Sequence, residues 1–168
     1  MNIILNFKRK ELLYDIANAC YIMSDSLTSD NHSKHNIIDI AQDGNVDWIT
    51  RRLDLVNAEI QHLLSSFNKE TVNEGDSTDD SFGEVDAYIY KLLVPDTFLS
   101  VTHKYLSQLI HNLMVDMCIS SYLSDVIGGN SLGEAQLWLS EANEIKDKIK
   151  AALTARSKRM RVSQHPFI

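Results

Sequence analysis

The chain has 168 residues, 44% of them apolar and 23% charged, with 16 Lys and Arg against 23 Asp and Glu for a formal charge of −7. That length suits one domain, and the composition lies near globular averages, which excludes disorder throughout. Two cysteines, Cys20 and Cys118, exclude a disulfide-stapled secreted scaffold and fit a reducing compartment.

The short apolar stretch Ile3 to Leu5 precedes Lys8, Arg9 and Lys10, the reverse of the order in a secretory signal. No run approaches the roughly 18 apolar residues of a membrane span, so no membrane partner is expected. Residues Asn2 to Phe7 are apolar and aromatic enough for a short strand, with a frayed arm as the alternative. From Lys8 to about Leu27, Leu12, Leu13, Ile16, Ala17, Ala19, Cys20 and Met23 follow the spacing of one helical face. Thr28 to His35, rich in Ser, Asp and Asn, reads as a loop. Ile37, Ile38 and Ile40 form a short apolar patch of open type.

Asp43-Gly44-Asn45 is a turn signal, and Asn45 is expected to accept from the free amides of a second helix. Its core face would be Trp48, Ile49, Leu53, Val56, Ile60, Leu63, Leu64 and Phe67, ending near Lys69. Residues 70 to 86 then hold seven acids, Glu70, Glu74, Asp76, Asp79, Asp80, Glu84 and Asp86, and no Lys or Arg. So polar a segment buries too little apolar surface to offset its ordering entropy, and a long flexible acidic loop is expected. Tyr88, Ile89, Tyr90, Leu92, Leu93 and Val94 favour a strand before Pro95.

Pro95-Asp96-Thr97 predicts a helix start with Asp96 as cap. The strongest periodic signal follows, through Phe98, Val101, Tyr105, Leu106, Leu109, Ile110, Leu113, Met114, Met117, Cys118, Tyr122 and Leu123, and Gly128-Gly129 stops it. Ser131 and Glu134 have capping-box spacing for a last helix to about Arg156, burying Ala135, Trp138, Ala142, Ile145, Ile149 and Leu153. No repeat is evident. The expected fold is mainly α: a four-helix-type bundle over residues 1–156, with the acidic loop 70–86, one or two short strands, and an extended basic arm over 157–168.

No catalytic or cofactor constellation emerges. His103 and His111 lack the i, i+4 spacing of a helical metal site, and ordinary partly buried histidines account for them. Cys20 and Cys118 lie on apolar stripes, where thiols behave as small hydrophobes. The acids near Asp76, Asp79 and Asp80 are out of register for a calcium loop, and no phosphate loop or nucleophile elbow occurs. The chain is therefore read as a non-enzyme, with no metal and no cofactor.

The compositional outlier is the C-terminal end. Lys146 to Arg161 hold seven basic residues and one acid, a local charge of +6, which leaves −13 on the rest. A solvated helix end complementing its dipole is the plain reading. The sharper one is a docking arm formed by Arg156, Lys158, Arg159 and Arg161 with Pro166 and Phe167, charges steering and Phe167 anchoring. Nucleic-acid binding through the same cations is a third.

Several segments together resemble small helical proteins of tailed-bacteriophage structural clusters, of the head-to-tail connector or neck-adaptor kind. They are Lys10-Glu11-Leu12-Leu13-Tyr14-Asp15-Ile16; Asp39-Ile40-Ala41-Gln42-Asp43-Gly44-Asn45-Val46-Asp47 with Thr50-Arg51-Arg52; Val94-Pro95-Asp96; the long helix carrying Tyr105; and Ala151-Ala152-Leu153-Thr154-Ala155-Arg156 with its basic tail. The resemblance implies a virion structural protein at the head-tail junction, made in the host bacterial cytoplasm. Its copies, about a dozen, would close a ring through heterologous contacts. Its partners would be the portal protein and adjacent neck or tail rings. DNA would only pass through the channel, with Glu70, Glu74, Asp76, Asp79, Asp80 and Glu84 facing the lumen or the next ring. The alternatives are a tail-completion or terminator protein and a small nucleic-acid-binding regulator.

Overall fold

In the computed structural model, which describes residues 1–27, 31–41, 43–68 and 85–154, residues Asn2–Lys8 form a strand, β1, rather than a frayed arm. Its alternation turns Ile3, Leu5 and Phe7 inward. The second strand, β2 (Ala87–Leu93), runs antiparallel to it, with Ile3 opposite Leu92, Leu5 opposite Tyr90 and Phe7 opposite Tyr88. All six are buried, so a one-residue slip would expose the whole set. The Met1 ammonium holds the open end, donating to the Val94 carbonyl and to Asp96 Oδ1, both at 2.9 Å.

Helix α1 (Arg9–Leu27) follows β1 directly, and Leu12, Ile16, Cys20 and Met23 bury its expected face. Arg9 ties the strand end to the helical layer: its amide donates to the Asp86 carbonyl at 3.0 Å and its Nη1 to Thr50 Oγ1 at 2.9 Å. The loop expected over Thr28 to His35 is corrected from Asn31 onward, where α2 (Asn31–Ile38) begins. Asn, Ser and His are indifferent helix formers, but Ile37 and the Ile40 of the following 3-10 turn are buried, and Tyr122 donates to the Asn36 carbonyl at 2.8 Å. Tertiary burial outweighs propensity here.

Helix α3 (Asp43–Leu63) begins before Asn45, which does not act as its cap: Asn45 Nδ2 donates to the Asp39 carbonyl at 2.8 Å, locking the helix start to the preceding turn. Ile49, Leu53, Val56, Ile60 and Leu64 are buried, while Trp48, Leu63 and Phe67 are only partly covered. The helix gives way to a 3-10 turn at Ser65–Phe67, and Lys69, near which its end was expected, lies outside the described residues.

The cap expected at Asp96 is likewise replaced. Asp96 pairs with the Met1 ammonium at 2.9 Å, and α4 (Ser100–Tyr122) starts after Leu99 without a side-chain cap. This helix is the hub of the molecule, contacting α1, α3 and α5 (Leu132–Thr154). From Leu113 to Ser120 every residue is buried, the signature of a helix enclosed on all sides. Between α4 and α5 the chain makes a π-turn at Leu123–Ile127. Gly128 and Gly129 then have φ of 60° and 58°, a region that side chains with a Cβ rarely adopt. Ser120 Oγ donates to the Ala135 carbonyl at 2.8 Å, fixing the register of the α4–α5 hairpin. The fold is mainly α, five helices and one small two-stranded sheet among the described residues.

Candidate interaction surface

Most chemistry-bearing side chains serve the fold. Burial pushes the Cys20 and Cys118 thiols up to about 12, so both stay protonated and inert at neutral pH. His111 Nε2 meets Asp15 Oδ2 at 2.6 Å and joins α4 to α1. Tyr88 donates to Asp54 Oδ1 at 2.9 Å and Tyr90 to Asn57 Oδ1 at 2.6 Å, clamping β2 to α3. His103 Nε2 is buried without a hydrogen-bond partner, yet no group of three metal-ligating side chains forms among the described residues. No described helix is long and apolar enough to cross a membrane.

The periodicity of α4 misleads at its N-terminal end. Val101 and Tyr105, expected in the core, are 74% and 46% exposed. With Gln108 and Asn112, also exposed, they follow helical spacing along one stripe. The neighbours α1 and α5 both pack on α4 but meet each other at Met23 and Trp138, where Trp138 Nε1 donates to Met23 Sδ at 3.3 Å. The stripe lies open to solvent. Glu11 of α1 and Gln108 line a cleft there with Lys8, Phe7 and His111.

One further residue lies on the same stripe, four positions beyond Asn112. Asp116 is only 6% exposed as a residue, yet its carboxylate oxygens are not among the described buried atoms left without a partner, which are His103 Nε2 alone. Desolvation, reinforced by Glu141 of α5, pushes its pKa up to about 7. The signal was present in the sequence as a single acid inside the apolar run Leu113 to Ile119.

Two other exposed apolar faces stand out. The outer face of the sheet presents Ile4, Ile89 and Leu93, and β1 and β2 pair with no other described strand. On α1, Tyr14, Tyr21 and Ile22 are exposed.

The residues singled out in sequence for docking and for the channel, Arg156, Lys158, Arg159, Arg161, Pro166 and Phe167 and the acids Glu70, Glu74, Asp76, Asp79, Asp80 and Glu84, lie outside the described residues. The structure does describe the first part of the basic stretch. Its lysines sit beside acids: Lys146 is 3.4 Å from Glu59, Lys148 3.9 Å from Glu144 and Lys150 3.7 Å from Asp147. Such exposed pairs stabilise little, but they locally balance the charge of α5. Comparison of the chain with protein-family models, curated proteins and solved structures found no match.

Proposed function

We propose that this chain is a structural virion protein, a head-to-tail connector or neck adaptor. Its four-helix-type body would pack side by side in a ring between the portal and the next neck or tail ring, while the basic segment from Arg156 onward docks on the portal or a neighbouring subunit. The observation that carries this reading is the pair of unlike exposed apolar faces, the sheet face with Ile4 and Ile89 and the α1 face with Tyr14, Tyr21 and Ile22. A ring closes through heterologous contacts, which need two different surfaces on each copy, and contiguous exposed apolar side chains mark places where a partner is gained. The charge division between an acidic chain and a basic end supports an assembly beside a DNA channel, because like charge keeps phosphate from adhering within a Debye length of about 8–10 Å.

Native mass spectrometry of the full chain, alone and with portal rings, tests it. The expected result is a monomer alone and a closed ring on the portal. A chain that ignores portals but caps tail tubes would replace the adaptor role with tail completion. One that binds duplex DNA with steep salt dependence would overturn both in favour of a nucleic-acid-binding regulator.

A further inference from the structure

The outer edge of β1 carries hydrogen-bonding groups that the fold leaves unused. The Met1 nitrogen donates to the Val94 carbonyl at 2.9 Å and the Val94 amide returns a bond to the Met1 carbonyl at 3.0 Å, so by alternation Ile3, Leu5 and Phe7 also face β2. The N–H and C=O groups of Asn2, Ile4 and Asn6 therefore point the other way, where no strand pairs with β1 among the described residues. The side chains of these three residues are exposed as well. A cleft follows the edge, with Asn6, Lys8 and Glu11 on one wall and Ser107, Gln108 and His111 of α4 on the other. Unpaired backbone groups beside an open cleft are a template for one more extended strand.

Charge says what that strand carries. Among the described residues the lysines without an ion pair are Lys8, Lys10, Lys91 and Lys104, whereas every described lysine of α5 lies beside an acid. All four fall around this one edge. Lys8 closes β1 and Lys10 follows it, Lys91 stands opposite Ile4 in register, and Lys104 lies one turn before Ser107 and Gln108 on the same side of α4. Glu11 is the one acid on the cleft among the described residues. Edge lysines deter a second strand, and they do so most for a second copy, whose β1 brings the same cation and no acid. An acidic strand reverses the sign of that interaction.

We propose that the free edge of β1 takes an extended acidic segment of another protein as a third strand of the sheet. The backbone of that segment bonds to Asn2, Ile4 and Asn6. Its side chains alternate between the two faces of the sheet. Those on the outer face, beside Ile4, are carboxylates that meet Lys8 and Lys91, and those on the inner face are apolar and lie against the open stripe of α4 at Val101 and Gln108. The inference stands apart from the neck-adaptor reading: that reading uses the faces of the sheet and of α1, this one uses an edge, and either can fail without the other.

Amide hydrogen exchange of the full chain, read residue by residue by NMR, tests it with a peptide of alternating Glu and Val about ten residues long, enough to span β1. Without peptide the Ile4 and Asn6 amides should exchange freely and those of Leu5 and Phe7 slowly. With it, Ile4 and Asn6 should slow by about tenfold or more, while Leu5 and Phe7 report that β1 and β2 stay paired. A peptide of alternating Lys and Val should leave all four unchanged. Asn6→Pro removes an outward donor and no β1–β2 bond, so it should weaken the acidic peptide about tenfold with Leu5 still protected. The Lys8→Gln/Lys91→Gln double variant should remove most of the salt dependence of binding. No slowing at Ile4 and Asn6 at millimolar acidic peptide overturns the proposal, and so does equal slowing by the basic peptide. Slowing at Ile89 and Lys91 instead would move the strand to the edge of β2, and slowing that rises with protein concentration alone would give the edge to a second copy; each overturns it.

Discussion

The two halves of α4 carry the same apolar periodicity and do opposite things. From Leu113 to Ser120 the helix is enclosed by α1, α3, α5 and the π-turn that follows it. From Val101 to Asn112 one side stands open, with Val101, Tyr105, Gln108 and Asn112 exposed. Periodicity fixes which residues share a face, but what packs against that face decides whether it is core or surface. The closed half anchors the fold, and the open half presents its side chains to solvent.

Paired truncations should break that comparison if it is wrong. Leu113→Ala removes a fully buried side chain and should cost about 2–5 kcal/mol, because the enclosed helix cannot collapse into the cavity. Tyr105→Ala, on the open half, should change stability by no more than about 1 kcal/mol. Urea denaturation of the two variants checks it; similar losses would mean that Tyr105 is covered in solution.

Asp116 sits at the boundary between the halves, and pH reads its state. Its folded pKa of about 7 lies above the ordinary value of 3.8, so between those values the native state holds a proton that the unfolded chain has released. The resulting stability is fully present below about pH 4 and is lost as pH rises through 7, by on the order of 2–4 kcal/mol. Asp116→Asn should abolish that slope. The measurement belongs at ~1 M salt, where a Debye length of ~3 Å screens more distant charges.

The helices were legible in the sequence because spacings of three and four recur over long runs; Leu12, Ile16 and Cys20 on α1 and Ile49, Leu53, Val56 and Ile60 on α3 lie where the pattern put them. What escaped depended on contacts distant in sequence. Helix α2 owes its form to Ile37 and Ile40 being buried and to Tyr122 reaching Asn36, none of which a Ser- and Asn-rich stretch reveals. Asp96 serves an ion pair with the amino terminus, and Asn45 serves a turn behind it, where local rules suggested caps. The arm and the acidic loop were expected from composition and lie outside the described residues, whereas the nearness of Asp116 to Glu141 required knowing that α5 folds back on α4.

The smallest effect sharpens the comparison most finely, because it concerns how the closed half is held in register. Ser120 Oγ donates to the Ala135 carbonyl at 2.8 Å inside the α4–α5 hairpin. Ser120→Ala removes one neutral hydrogen bond and leaves no buried donor behind, so its cost should be only about 0.5–1.5 kcal/mol. Its consequence should nevertheless be directional. The bond lies at the closed end, next to the turn, and losing it lets α5 shift along α4, which moves Glu141 relative to Asp116. Amide hydrogen exchange should then quicken along α5 from Ala135 to Ala142 more than along α1 or α3. Uniform acceleration across all helices would mean that the hairpin register is held by apolar packing, and that the serine adds only to global stability.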